Sequence, residues 1–438
     1  MKFLMTIHYI QDYGGIMNHA EYLAKGLKTL GHEVDFVSLL PQHSTTQSTR
    51  PRKDMEEYRT VGTGYPYHQK RGWMGVPRVG YRDMYTRKKW LEKCSKYDAV
   101  LWHLPVPALT APNKDVQEWT ELYDNGTKNI AIVHDGNLRE RNCHLLHVSD
   151  KFHAMVCVHE SAMGSADVID IPRKLIVNPF EFDFEQLERD TYDNSNFEQR
   201  SGFCAVQVFK GWKRVDTLIR AIPHMKNQEQ KTLGGLGIEF RYMTSKDKCK
   251  PKYFEKGERI WDIALRHGMK HLGAVPNDNV YKLLQTAKVQ IDPSFSDKYR
   301  KFGSHFNRTT IEAIINGAVP MATDWGMQDS KIFSPGENFI EIPKGSSPQQ
   351  FAEIVDSALN DHVFWQRVRE TNLQIVKRFH MTNVASEYVK LVTDPVDQLP
   401  KGTPDSTSQL SCIQTLKYFN VEPKKVGVSQ VEAQATLF

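Results

Sequence analysis

Apolar residues fall along this chain in two alternating rhythms. Short apolar runs, rich in β-branched residues, read as buried strands: FLMTIHYI at Phe3–Ile10, then HEVDFVSLL, AVLWHL, NIAIVHD and AMVCVHE. Further on, FCAVQVF, IEFRYMT, VQIDPS and AVPMATD have the same character. Between them apolar positions recur at helical spacing. Ala20, Leu23, Ala24, Leu27 and Leu30 form one such face, closed by Gly31, a residue suited to the left-handed position after a helix. Val215, Leu218, Ile219 and Ile222 form a second, and Ile311, Ala313, Ile314 and Ile315 a third that Gly317 ends. Residues 347–379 read as helix throughout. Strand, loop, helix, strand, repeated in each half, predicts an α/β protein with two doubly wound parallel sheets.

Turn and linker composition divides the chain further. The acidic segment 181–200 reads as a linker, which sets a first domain at 1–180 and a second at 201–375. Residues 376–396 continue as a terminal helix. Residues 397–438, rich in Pro, Ser and Thr, read as a tail that either docks or stays flexible. At 438 residues there is length for two cores, and a formal charge of +5 permits a nucleic-acid partner without requiring one. The six cysteines are scattered with no CxxC pair and no metal-ligand spacing, which suggests a reduced, cytoplasmic protein. MKFLMTIHYI fits a first buried strand better than a signal peptide, and no run is long enough to span a membrane.

Candidate chemistry collects at the ends of the expected strands. Gly14 and Gly15 follow the first strand, where absent side chains let backbone approach a ligand. Lys210, Gly211, Trp212, Lys213 and Arg214 follow the first strand of the second domain, a basic loop suited to diphosphate. In NRTTIEAIING, Asn307, Thr309 and Thr310 open a short helix and Glu312 is its single acid, a group that can hold a ribose diol. His134-Asp135 closes another strand, with Arg139 and Arg141 just beyond. Arg71, Arg78, Arg82 and Arg87 alternate with Trp73, Tyr81, Tyr85 and Trp90, as a phosphate backbone and stacked bases would require. A solvated basic loop whose aromatics pack on their own domain explains that stretch equally well. Lys298, Arg300 and Lys301 form a second basic cluster.

Several of these stretches together resemble a family. GGIMNHAEYLAKGLKTLGHEV, LIVNPFEF, WKRVDTLIRAI and NVYKLLQTAKVQIDPS leading into TTIEAIINGAVPMATDWG occur in the order found in retaining nucleotide-sugar glycosyltransferases of the GT-B fold. Within that family the chain most resembles the T-even phage DNA α-glucosyltransferases, which act on hydroxymethylcytosine. VHDGNLRERN, GWK and the NRTTIE segment carry this narrower likeness. The resemblance implies two Rossmann-like domains facing a cleft, with the C-terminal helix crossing back. It also implies a UDP-sugar donor, no bound cofactor and no metal, and the chain accordingly has no DxD flanked by a small apolar strand. Gly14 and Gly15 would admit the diphosphate, Lys213 would bind it, and Glu312 would take the ribose hydroxyls. The family's usual glutamate, at the position of Ser304, and its usual arginine, at about Val208, are both absent, so Lys210 or Arg214 is the substitute on offer for the arginine.

The expected activity is transfer of glucose or a pentose such as arabinose, with retention, onto the hydroxymethyl group of modified cytosine in double-stranded DNA. Asp135, with His134, would orient or deprotonate that hydroxyl after the base leaves the stack. The basic residues at 71–87, 139–141 and 298–301 would contact DNA. The enzyme would be a monomer acting in the cytoplasm, that of the host if phage-encoded. The alternatives are an enzyme of the same fold acting on a cell-envelope glycan, lipid or small molecule, and a binding module on a decayed fold.

Overall fold

The computed structural model describes residues 1–7, 15–38, 60–63, 87–103, 123–134, 149–193, 196–275, 277–294, 308–323 and 332–403. These form two units. The first comprises Met1–Val158, Ala162–Val177 and Val384–Phe438, and the second His159–Ser161 and Asn178–Asn383.

The first unit is built on β1 (Lys2–Ile7), β2 (Glu33–Ser38), β3 (Thr60–Thr63), β4 (Ala99–His103), β5 (Lys128–Val133), β6 (Ala154–Cys157) and β7 (Arg173–Leu175). They pair in the order β3-β2-β1-β4-β5-β6-β7, every pair parallel. A parallel sheet is covered on both faces, so its strands must be apolar on both. Leu4, Val100, Trp102, Ala131 and Met155 point into one core, and their chain neighbours Phe3, Met5, Leu101, Ile130 and Val156 into the other. The second core is roofed by the Gly15–Thr29 helix, through Ala20, Leu23, Ala24 and Leu27. Gly31 ends that helix at φ 82°, with His32 N–H bonding Leu27 O at 3.0 Å, as its sequence position suggested. The same core takes Val384, Ala385, Tyr388, Leu391 and Val392 from the Met381–Thr393 helix. A fully buried Leu or Val of this kind contributes about 1.5–3 kcal/mol over an exposed one.

The second unit contains β8 (Phe203–Val206), β9 (Lys231–Gly234), a two-stranded antiparallel ribbon β10 (Phe254–Glu255) and β11 (Glu258–Arg259), then β12 (Met269–His271), β13 (Val289–Asp292), β14 (Val319–Thr323) and β15 (Ile340–Ile342). Its main sheet is parallel, in the order β12-β9-β8-β13-β14-β15. The segment IEFRYMT, expected as a strand, is instead the helix Ile238–Thr244. Its alternation of apolar and polar residues mimics a strand. The sheet position it would have filled is taken by β9, KTLG, whose residues are all buried. The helices Pro348–Asn360 and His362–Val376 begin as sequence chemistry dictates, the first with a Ser347/Gln350 capping box and the second capped by Asp361.

In each sheet the chain winds outward one way and then the other. The reversal falls between β1 and β4 in the first unit and between β8 and β13 in the second. Loops leaving the carboxyl ends of those strands diverge, which opens a crevice where open α/β sheets bind ligands.

Candidate active site

In the second unit the reversal point is occupied by charge. After β8 the chain makes one tight turn, Gly211–Lys213, closed by Lys213 N–H on Lys210 O at 2.9 Å. Arg214 then takes the left-handed conformation at φ 49°, a strained state for a residue with a side chain, before the Val215–Ala221 helix begins. This kink turns Lys213 inward. Its ammonium lies 3.9 Å from Asp292 Oδ2 and 4.4 Å above the Trp212 ring, with only 7% of the residue exposed. Asp292 is the last residue of β13, and its other carboxylate oxygen accepts from Ser294 N–H at 3.0 Å and from the Ser294 hydroxyl. The Thr323 hydroxyl at the end of β14 in turn bonds Ser294 O. Burial, and Lys210 nearby, push the Lys213 pKa below its usual range, while Asp292 opposes them. A cation so placed gains most when a second anion joins it.

The helix Arg308–Ile315 follows the loop that leaves β13. Thr310 and Glu312 are buried and Thr309 half-buried. Arg308 Nε lies 3.8 Å from Glu312 Oε1, and its guanidinium sits 4.2 Å above the Phe180 ring. Burial raises the Glu312 carboxyl above the usual range, with Arg308 pulling it back. Gly317 closes the helix at φ 76°, and a Cβ there would lie 2.6 Å from Arg200 Nη2. Arg200 is not free to yield: it donates to Asn196, Leu284, Ala287 and Asn316 at 2.9–3.1 Å. Asn307 lies outside the described residues.

Past the carboxyl ends of β8, β9 and β12 the chain exposes Val208, Leu236, Ile238 and Leu272. Sequence reading passed over this apolar rim and over Asp292. An aspartate ending a buried strand just before Pro293 was the signal for the latter.

In the first unit, three histidines from separate elements meet. His134 follows β5, His103 ends the neighbouring β4, and His19 comes from the Gly15–Thr29 helix. His103 Nδ1 and His134 Nε2 are 3.3 Å apart, and the two rings stack at 22°. His19 packs edge-on to both, at 4.7 Å from His134 and 5.3 Å from His103, and its Nε2 pairs with Tyr388 Oη at 3.2 Å. Burial, and then His19, depress the His103 pKa well below the ordinary histidine value. One ligand nitrogen per ring can be chosen so that all three lie within 4.8 Å, a grouping that chain spacing could not reveal. Gly15 opens its helix and is exposed. Arg87 opens the Arg87–Cys94 helix. Gly14, Arg71, Arg78, Arg82, Asp135, Arg139, Arg141, Lys298, Arg300 and Lys301 lie outside the described residues. Among those described, no helix is long and apolar enough to cross a membrane.

Two Rossmann-like parallel sheets, each with polar groups at its reversal point, define the GT-B fold of glycosyltransferases. Residues 188–374 match the family of glycosyl transferases group 1. Over 411 residues the chain is 23% identical to an uncharacterised glycosyltransferase of Methanocaldococcus jannaschii, covering 86% of this chain and 94% of that one. Among solved structures it resembles Anabaena HepE in complex with UDP (TM-score 0.62, 13% identity, 90% of this chain and 100% of that). It is equally similar to an α-glucosyltransferase in complex with UDP-glucose and DNA containing an abasic site (TM-score 0.61, 13% identity, 90% and 100%). The pneumococcal O-GlcNAc transferase GtfA with UDP and GlcNAc is a third (TM-score 0.61, 10% identity, 91% and 99%).

Proposed function

We propose that this protein is a retaining, UDP-sugar-dependent glycosyltransferase whose second unit holds the nucleotide-sugar. The observation that carries this is the buried Lys213–Asp292 pair across the reversal point of the second sheet, in the segment that matches the group 1 family. A diphosphate entering that crevice would draw the Lys213 ammonium from Asp292 and be stabilised as the bond to the anomeric carbon breaks. Lys210 and Arg214 flank it as further cations. Glu312 would accept from the ribose hydroxyls, and the apolar rim of Val208, Leu236 and Ile238 would cover the base. Bond cleavage places the negative charge on UDP. The acceptor hydroxyl then bonds the anomeric carbon on the face UDP leaves, and its proton passes to a carboxylate or to the departing phosphate. Asp135, with His134 beside it, is the acceptor-side candidate.

For the acceptor we favour the hydroxymethyl group of modified cytosine in duplex DNA, with glucose or a pentose transferred. Support comes from the VHDGNLRERN stretch, the arginines at 71–87, and one similar protein being an α-glucosyltransferase in complex with DNA. A cell-envelope, lipid or small-molecule acceptor is the second reading, kept open because HepE with UDP and GtfA with UDP and GlcNAc, neither of them complexed with DNA, share the fold about as closely. One experiment separates them. The protein is incubated with a panel of UDP-sugars and DNA with or without hydroxymethylcytosine, and the digested nucleosides are weighed. A hexose or pentose mass added only to hydroxymethylcytosine supports the DNA reading. Donor consumption without nucleoside gain refutes it and leaves the glycosyltransferase standing.

A further inference from the structure

The second unit buries two like charges side by side. Arg200 is 7% exposed and Arg369 4%, and both guanidiniums close on Gly317. A Cβ there would lie 2.6 Å from Arg200 Nη2 and 3.1 Å from Arg369 Nη2. At neutral pH both side chains are protonated. Among the described residues, every group that accepts from them is uncharged. Arg200 donates to Asn196 Oδ1 and to the carbonyls of Leu284, Ala287 and Asn316, and Arg369 donates from Nη2 alone, to Asp190 O at 2.7 Å. Both also rest against the Trp365 ring. The carboxylates of Asp190, Asp193 and Glu370 favour the Arg369 charge through space, but none forms an ion pair with it. Gln186 and Gln366 already donate to Asp190 Oδ1 and Glu370 Oε1. Burial, and then Arg200, push the Arg369 pKa down to about 9, and burial takes Arg200 to about 10. Charges buried without a counter-ion are costly, and the pair as it stands has none in contact.

The space for a counter-ion lies beside Arg369. Its Nε and Nη1 are buried without a hydrogen-bond partner, and the residue lines a small cavity of about 10 Å³. That is room for one water-sized particle. Leu187, Ile314 and Leu373 give the cavity apolar walls, and Thr191 and Asn372 are its other polar neighbours. The Thr191 hydroxyl already donates to Leu187 O, and the Asn372 amide exchanges hydrogen bonds with Asn338. The free donors are therefore those of Arg369. A water there would accept from them and leave both positive charges uncompensated. A monatomic anion would accept from the same N–H groups and neutralise one charge, in the charge-assisted geometry that guanidinium favours. We propose that this cavity is a binding site for one halide-sized monovalent anion of the chloride type, held by Arg369 Nε–H and Nη1–H with Arg200 behind it. Chloride is slightly wider than water, so the flexible Leu187 and Leu373 side chains give way a little to admit it. The walls come from the helices Phe184–Tyr192, Arg308–Ile315 and His362–Val376, so the ion joins three helices of the second unit. This site is separate from the Lys213–Asp292 pair and does not depend on the activity proposed above.

The test has a crystallographic and a solution part, both on the full chain. Crystals grown without chloride and soaked in sodium bromide should show an anomalous peak in this cavity, within hydrogen-bond distance of Arg369. In solution, thermal unfolding is followed as sodium chloride replaces sodium gluconate at fixed ionic strength, so that general screening stays constant. An ion bound only by the folded protein raises its thermal transition, here by roughly 2 °C or more for wild type. Arg369→Met, which removes the donors, should show no such rise. If that variant does not fold, Arg369→Lys takes its place. It keeps the charge and loses the paired donors, and should retain less than half of the wild-type response. No bromide peak in the cavity, a flat wild-type response, or the same response in variant and wild type overturns the proposal.

Discussion

Replacing Lys213 by methionine keeps a straight side chain and removes only the charge, so it isolates what the ammonium does. At 3.9 Å from Asp292 Oδ2, the Coulomb attraction is about 4 kcal/mol at an effective dielectric constant of 20. Most of that is offset by the cost of taking both ions out of water, and the contact is too long for a hydrogen bond. A net loss of about 1–3 kcal/mol is expected for the free protein. The second unit's thermal transition should then fall by roughly 2–4 °C per kcal/mol. Asp292→Asn should cost a comparable amount. The double variant should cost less than the sum, because neither charge is left in the core. Binding should respond differently. With UDP the ammonium faces a diphosphate, so Lys213→Met should weaken UDP at least tenfold, about 1.4 kcal/mol, whereas Asp292→Asn should strengthen it by releasing the lysine. Titration calorimetry with UDP and scanning fluorimetry on all four proteins measure both sides of this cycle. Unchanged UDP affinity in a folded Lys213→Met protein would show that the pair only ties β8's loop to β13.

Glu312→Gln should weaken UDP at least tenfold yet leave the protein as stable or more so. The Glu312 carboxyl is raised in the folded state, so the native protein holds its proton more tightly than the unfolded chain does. That contribution is full below the unfolded value and is lost as pH rises through the folded one. The stability gain of the Gln variant, followed by urea unfolding, should therefore appear on going from pH 4 to 8, and its absence removes the carboxylate from the core. Gly317→Ala should cost about 2 kcal/mol or more, because a left-handed φ is combined with a Cβ pressed against the tethered Arg200 guanidinium. A loss under about 0.5 kcal/mol in urea would show that Arg200 relaxes freely. If DNA is the acceptor, log K for duplex DNA should fall against log salt with a slope of roughly −0.9 per phosphate neutralised. Reversing Arg71 and Arg78 to glutamate should flatten that slope by about two units with UDP affinity intact, as electrophoretic shifts at several salt concentrations would show.

The sheets were legible because parallel strands buried on both faces leave near-continuous apolar runs, and most described strands coincide with such a run. β9 was not. Its sequence KTLG begins with a lysine whose stem is buried while Nζ reaches Asn227 O at 2.7 Å, so no apolar pattern marks it. Ile238–Thr244 erred in the other direction, since over seven residues a period of two and a period of 3.6 are hard to tell apart. For the candidate site, loop composition and family likeness nominate Lys213 and Glu312, and the structure buries both. Asp292 and the partnership of His19, His103 and His134 could not be found that way. Their meaning depends on which strands are neighbours, and spacings of tens of residues along the chain do not carry that.

The return of the Met381–Thr393 helix to the first unit has a consequence for biosynthesis. Val384, Tyr388 and Leu391 complete the core that Phe3, Met5 and Leu23 begin, so residues made early wait for residues made after the whole second unit. At 5–20 residues per second, the roughly 200 residues between Asn178 and Asn383 take on the order of 10–40 s to make. The second unit, contiguous in the chain apart from three residues, can close during that interval, and the first cannot. Assembly order is thus inverted relative to translation order. An N-terminal fragment ending near residue 180 should expose the apolar face of β1 and the Gly15–Thr29 helix and aggregate. Fusing residues 384–403 in front of Met1 through a flexible linker would let the first unit mature on its own.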